Sequence, residues 1–222
     1  MTAKLKDMTK IFTSIFPVWS LWYIGILLIV YIISNIFSTD GMASFFGFGM
    51  TANRTYLLVL AIITTLMFTE WAVNMGASSK TFYKSMMITG LVTAVFVTAV
   101  VAVISFGLSF TPFRGDYLLV EDLRYLTNFE YVIFHFLSGL LFWAAGVLIA
   151  ASFYRGFWRG MLSVLAGITA IMLLLFNEDL LNYFGAIGNM TVYLGFALML
   201  LLIVIYNWIA YAVVKNIPVK FG

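Results

Sequence analysis

Residues 70–90 read EWAVNMGASSKTFYKSMMITG and join two long apolar runs. Ser78 or Ser79 is placed to cap a helix, because a serine oxygen accepts from the free N–H groups of the following turn. Phe82 and Tyr83 come next, with Lys80 and Lys84 four residues apart on one face. The stretch predicts a short helix at a membrane surface, offering two rings and two cations to whatever lies below it. The runs on either side are apolar enough to cross a bilayer, so this connection separates two membrane spans.

Composition carries the same reading to the whole chain. Of 222 residues, 64% are hydrophobic and 9% charged, with a mean hydropathy of +1.06. Soluble domains carry roughly 25% charged residues, and a run of about 20 apolar residues crosses the roughly 30 Å of bilayer hydrocarbon. The expected class is an all-α integral membrane protein. The chain has no cysteine, which excludes disulfides, thiolate metal sites and cysteine nucleophiles together. A single histidine, His135, leaves no multi-histidine metal site. The net charge of +3 does not point to nucleic acid, because the cations sit at span ends where topology needs them. The basic amino terminus precedes an apolar run longer than a signal peptide's, with no small-residue cleavage site, so the first span is read as retained.

Six spans are read, at about 16–37, 55–75, 86–108, 131–154, 161–176 and 190–214, within a single transmembrane domain covering 1–222. Residues 1–14 space Lys4, Lys6 and Lys10 among Leu5, Met8, Ile11 and Phe12, which suits a short amphipathic helix on the inner surface. Pro17 falls in the first turn of the first span, where proline is tolerated. Residues 38–54, with the apolar tract FFGFGM, read as a loop dipping into the outer interface. The connection 109–130 holds LLVEDLRYL, whose spacing predicts a short external helix. A tight basic turn, RGFWRG, occupies 155–160. With both ends inside, the inner side holds nine basic residues: Lys4, Lys6, Lys10, Lys80, Lys84, Arg155, Arg159, Lys215 and Lys220. The outer side holds only Arg54, Arg114 and Arg124. This is the bias of the positive-inside rule for a multi-pass protein of the cell membrane with both termini in the cytoplasm.

The connecting stretch resembles the coupling segment of small bacterial ATP-binding-cassette (ABC) exporters of the type-2 permease class, where a helix end reads roughly G-[AV]-[ST]-R-K-x-[FY]-[FY]-K. Gly76, Ala77, Ser78, Lys80, Phe82, Tyr83 and Lys84 follow that pattern in order, and Ser79 stands where the family often has arginine. The resemblance implies a coupling helix formed by Gly76, Ser78, Ser79, Lys80, Thr81, Phe82, Tyr83 and Lys84. It implies a separate ATPase subunit that binds ATP and magnesium, and a second permease chain, identical or not. It further implies export of an amphipathic peptide, an antimicrobial or a lipid-like compound. The family often has re-entrant helices between its fifth and sixth spans; here that connection is short, and the larger external element lies between the third and fourth.

Polar residues inside the apolar runs are few. Glu70, one turn from Asn74, is placed to pair with Lys80, Lys84 or the amino-terminal segment; within the resemblance, the two would brace the coupling helix. His135 reads as a hydrogen-bonding residue near the outer surface, and Asn207 as one able to bond across helices. Gly146 and Ala150, four apart among small residues, form either a packing seam or a dimer contact. The six tryptophans, Trp143 among them, read mostly as an interfacial belt.

Catalytic chemistry is not read in the chain. GASSKT is no phosphate loop, since Asn74 and Ser79 occupy the positions where a Walker A motif needs glycine. No cofactor or metal is expected on this chain, no partner is a nucleic acid, and membrane lipids surround it. Two alternatives stay open. One is a self-contained secondary transporter or channel, which would need ionisable residues near the bilayer midplane. No span clearly offers one, since Glu70 and His135 both read near span ends. The other is a membrane scaffold or immunity protein.

Overall fold

The computed structural model describes residues 3–37, 44–113, 127–154, 156–165, 167–169 and 190–215. Among these, every regular element is a helix: α1 (Ala3–Phe37), α2 (Phe45–Asn74), α3 (Ser79–Leu108), α4 (Asn128–Phe153), α5 (157–165, continuing at 167–169) and α6 (Met190–Val214). Five of them, α1 to α4 and α6, are long and apolar enough to cross a membrane. The chain is a helical membrane protein. The fifth expected span begins in α5, and its remainder lies outside the described residues. So do the expected external helix at 118–126, Arg155 and Lys220.

Three boundaries expected from the sequence change. The amphipathic helix at 1–14 is not a separate element, because α1 runs unbroken through Pro17 to Phe37. Proline here costs one backbone hydrogen bond, and the segment before it is held by packing, with Met8, Phe12 and Phe16 buried. The loop expected at 38–54 holds most of the first turns of α2, so FFGFGM is helical and Asn53 and Arg54 lie within a membrane-length helix. The short helix expected ahead of the third span is the start of α3 itself. In each case the helix outruns the hydrocarbon width. A 30-residue helix such as α3 reaches roughly 45 Å at 1.5 Å per residue, well beyond the roughly 30 Å of the apolar slab.

The helix α4 occupies the centre, against α2, α3 and α6, while α1 lies mainly on α3. Every residue from Leu141 to Ser152 is buried. Small residues make this possible. A Cβ added to Gly146 would lie 2.5 Å from the Leu58 carbonyl oxygen and 2.8 Å from Ala61 Cβ, so α2 and α4 nearly touch there. The seam of Gly146 and Ala150 therefore faces a neighbouring helix of the same chain. Trp143 is fully buried in this core, its ring seated over Gly90 of α3 and 6.2 Å from that of Phe16, rather than in an interfacial belt. At the start of α4 the Thr127 hydroxyl accepts from the Glu130 N–H at 3.3 Å and Glu130 Oε2 accepts from the Thr127 N–H at 2.8 Å. This reciprocal cap assigns Glu130 a local role.

Candidate functional site

Two places on this scaffold concentrate polar and aromatic side chains. The first is the corner where α2 gives way to α3. Gly76 has φ +73° and the Ala77 N–H donates to the Ala72 carbonyl at 2.9 Å, the left-handed stop that closes a helix. Ser78 then caps α3, its side chain accepting from the Thr81 N–H at 3.2 Å. The run Gly-Ala-Ser is thus one helix stop followed directly by one helix start, which makes this connection short and stiff.

Lys80 and Lys84 leave the first turns of α3 on the exposed side, as do Gly76 and Ser78 before them; Ser79 and Thr81 are half-buried. Phe82 and Tyr83 point the other way and are buried. The ring of Phe82 meets Phe12 of α1 edge-on at 6.4 Å, and Phe12 in turn meets Phe68 and Trp71 of α2 at 5.3 and 6.1 Å. The Tyr83 hydroxyl donates to the Asn207 carbonyl at 2.6 Å, with Asn207 Oδ1 at 3.1 Å, and its ring lies 5.5 Å from Tyr211. Asn207 does bond across helices, from α6 to α3. Thr9 of α1 adds a 3.2 Å hydrogen bond to Ser85. This corner therefore joins α1, α2, α3 and α6. Glu70 and Asn74 are exposed beside it. On α2, their neighbours Phe68 and Trp71 meet the amino-terminal helix at Phe12.

The second place is a buried polar cluster between α2 and α4. Arg54 Nε donates to Ser138 Oγ at 3.1 Å, and the Ser138 hydroxyl donates to the His135 carbonyl at 2.9 Å. The Arg54 guanidinium also sits 5.3 Å above the Phe134 ring. Asn53 Nδ2 lies 3.1 Å from His135 Nε2, and Phe46 meets the imidazole edge-on at 4.8 Å. All four polar residues are buried, His135 to 1% exposure. His135 is a hydrogen-bonding residue, as its sequence suggested, and it lies buried between helices. Burying a polar group without a partner costs about 1–3 kcal/mol, which is why such clusters are internally bonded.

Sequence alone hides this cluster, because Arg54 reads as the end of a loop. The available signal is His135 and Ser138 three apart on an otherwise apolar helix, since such residues share a face. Among the described residues no group of three or more His, Cys, Asp or Glu converges as a metal site would need. Comparison with protein-family models, with curated proteins and with solved structures finds no match to this chain.

Proposed function

We propose that this chain is the membrane-spanning permease subunit of a small ABC exporter, driven by a separate ATPase subunit and working beside a second permease chain. The observation that carries the reading is the division of residues 76–84 into two faces. Gly76, Ser78, Lys80 and Lys84 are exposed, while Phe82 and Tyr83 are tied to the neighbouring helices. In this arrangement the exposed face docks on the ATPase and the rings transmit. A push on Lys80 or Lys84 moves α3, and α1 and α6 follow through Phe12 and Asn207. The rings thus act as internal levers rather than as anchors in a partner's pocket. Cargo is an amphipathic peptide, antimicrobial or lipid-like compound, in keeping with the apolar and aromatic composition.

The test uses the absence of native cysteine. A single cysteine at Lys80, with a co-expressed candidate ATPase subunit carrying cysteines along its permease-facing groove, should cross-link in membranes and change yield when ATP is added. A cysteine at Phe153, whose ring packs against Gly160 of α5, should not. Failure of every Lys80 pairing in a complex that otherwise co-purifies would overturn the coupling role.

One observation favours a second reading, a self-contained secondary transporter. Arg54 and His135 are ionisable groups buried within membrane-length helices, and such groups mark ion pathways and proton relays. Transport by the purified chain in nucleotide-free vesicles under an ion gradient would select that reading.

A further inference from the structure

Trp22 lies on the uncovered face of α1. It is 75% exposed, and its indole N–H has no hydrogen-bond partner among the described residues. Twelve residues separate it from the exposed Lys10, roughly 18 Å of helix, and fifteen from Phe37 at the other end, roughly 22 Å. In a hydrocarbon slab of about 30 Å the ring is therefore near mid-depth, away from the interfaces where tryptophan finds polar partners. Lipid tails at that depth offer no acceptor, and an N–H left unmatched among them is costly. One turn further on, Gly25 leaves a notch of about 340 Å³, lined by Val18, Leu21, Trp22, Gly25, Ile26 and Ile29. A Cβ added at Gly25 meets nothing within 4 Å, and among the described residues no other helix closes the notch. A helical side chain covers the turn before its own Cα, so glycine here uncovers the carbonyls near Leu21 and Trp22. Each helical carbonyl keeps a second lone pair for a further donor. An unmatched donor and its acceptors thus share one face at nearly the same depth.

We propose that two copies of this chain pair through this face of α1, each seating its Trp22 ring in the Gly25 notch of the other. The indole N–H then donates to the carbonyls uncovered there. Because one face carries both halves, a two-fold axis along the membrane normal satisfies both indoles at once. Helical side chains lean toward the amino-terminal end of their helix, which brings a partner's Trp22 to the level of the uncovered turn. The space suffices, since a cavity of about 150 Å³ already takes benzene and this notch has about 340 Å³. A lipid tail could fill the notch but would leave both N–H groups unmatched. The pairing goes beyond the permease reading, because it needs no ATPase; it makes the second permease chain an identical copy.

The test uses the full chain alone, so its outcome and that of the Lys80 cross-linking are independent. Fluorescently tagged chains are counted by single-molecule photobleaching in phosphatidylcholine liposomes at high lipid dilution. Two bleaching steps are expected for the native chain. Gly25→Ile fills the notch and should weaken pairing about tenfold or more, as overpacking of a contact does. The change meets nothing inside its own chain, so the variant folds, and the unfolding of single chains in detergent is unaffected. Trp22→Phe keeps a ring and removes the N–H, and should weaken pairing less. The face is mapped with single cysteines, since the chain has none of its own. Under oxidation, cysteines at Leu21 or Ile29 should form disulfide-linked dimers, whereas cysteines at Val103 of α3 or Val204 of α6, also exposed, should not. Single copies of the native chain overturn the proposal and leave lipid as the occupant. Pairs that survive Gly25→Ile, that are unchanged by Trp22→Phe, or that cross-link at Val103 or Val204 instead also overturn it.

Discussion

Between α2 and α4 two backbones come together because side chains are missing; at the corner between α2 and α3 helices are held apart and joined by large rings. In the seam, Gly146 lets the Leu58 carbonyl approach and Gly139 lets the Leu57 side chain in. The polar bonds Arg54–Ser138 and Tyr154–Leu66 fasten the two helices further along. At the corner, Phe12, Phe68, Trp71 and Phe82 fill the space between α1, α2 and α3. The contrast matters inside a bilayer, where lipid tails are as apolar as the protein and packing rather than water exclusion drives helix association. A seam of small residues is damaged by adding atoms, and a ring cluster by removing them. The corner, unlike the seam, carries exposed cations on its outer edge.

The largest expected effect comes from removing a ring. Phe82→Ala leaves a void among Phe12 and its neighbours, and buried Phe→Ala changes cost about 3–5 kcal/mol. Thermal unfolding in detergent, followed by circular dichroism, should show a clear drop. A variant as stable as the parent that loses only its partner would make Phe82 a free anchor and erase the contrast.

Next comes adding atoms to the seam. Gly146→Leu drives a side chain at the Leu58 carbonyl, and overpacking of this kind costs about 1–3 kcal/mol. The control is Gly25→Ala on the exposed face of α1, where an added Cβ meets nothing within 4 Å. It should be neutral or slightly stabilising, since alanine is the better helix former. Equal stability of Gly146→Leu and Gly25→Ala would show that α2 and α4 do not approach closely at all.

The smallest effect on stability belongs to the exposed cations. Lys80→Gln with Lys84→Gln should shift unfolding by no more than about 0.5 kcal/mol, as surface changes do, and, if the proposed coupling role holds, should weaken co-purification of an ATPase subunit. A large loss of stability would place these lysines in the packing and sharpen the corner into a purely structural element.

Much of this is legible locally. Apolar content sets the membrane class, and the sixth span read at 190–214 coincides with α6. Ser78, one of two serines that read as a cap, is the residue that caps α3. Other expectations fail at particular residues. The charge of Arg54 points to a loop, yet α2 has begun at Phe45. Trp143 reads as a belt residue, yet Gly90 across the interface opens the space that buries it. Phe82 and Tyr83 read as facing outward, yet Phe12 and Asn207 turn them inward.

The division has a physical cause. Crossing the hydrocarbon is a requirement on composition and length, and helix starts and stops are set by caps within a few residues, so sequence alone determines both. Which face of a span is buried is not encoded in that way. A helix apolar on all sides has no preferred side until a neighbour is present. In α4 the choice falls to Leu58 and Ala61 on α2 and to Gly90 on α3, residues brought alongside only by the tertiary fold.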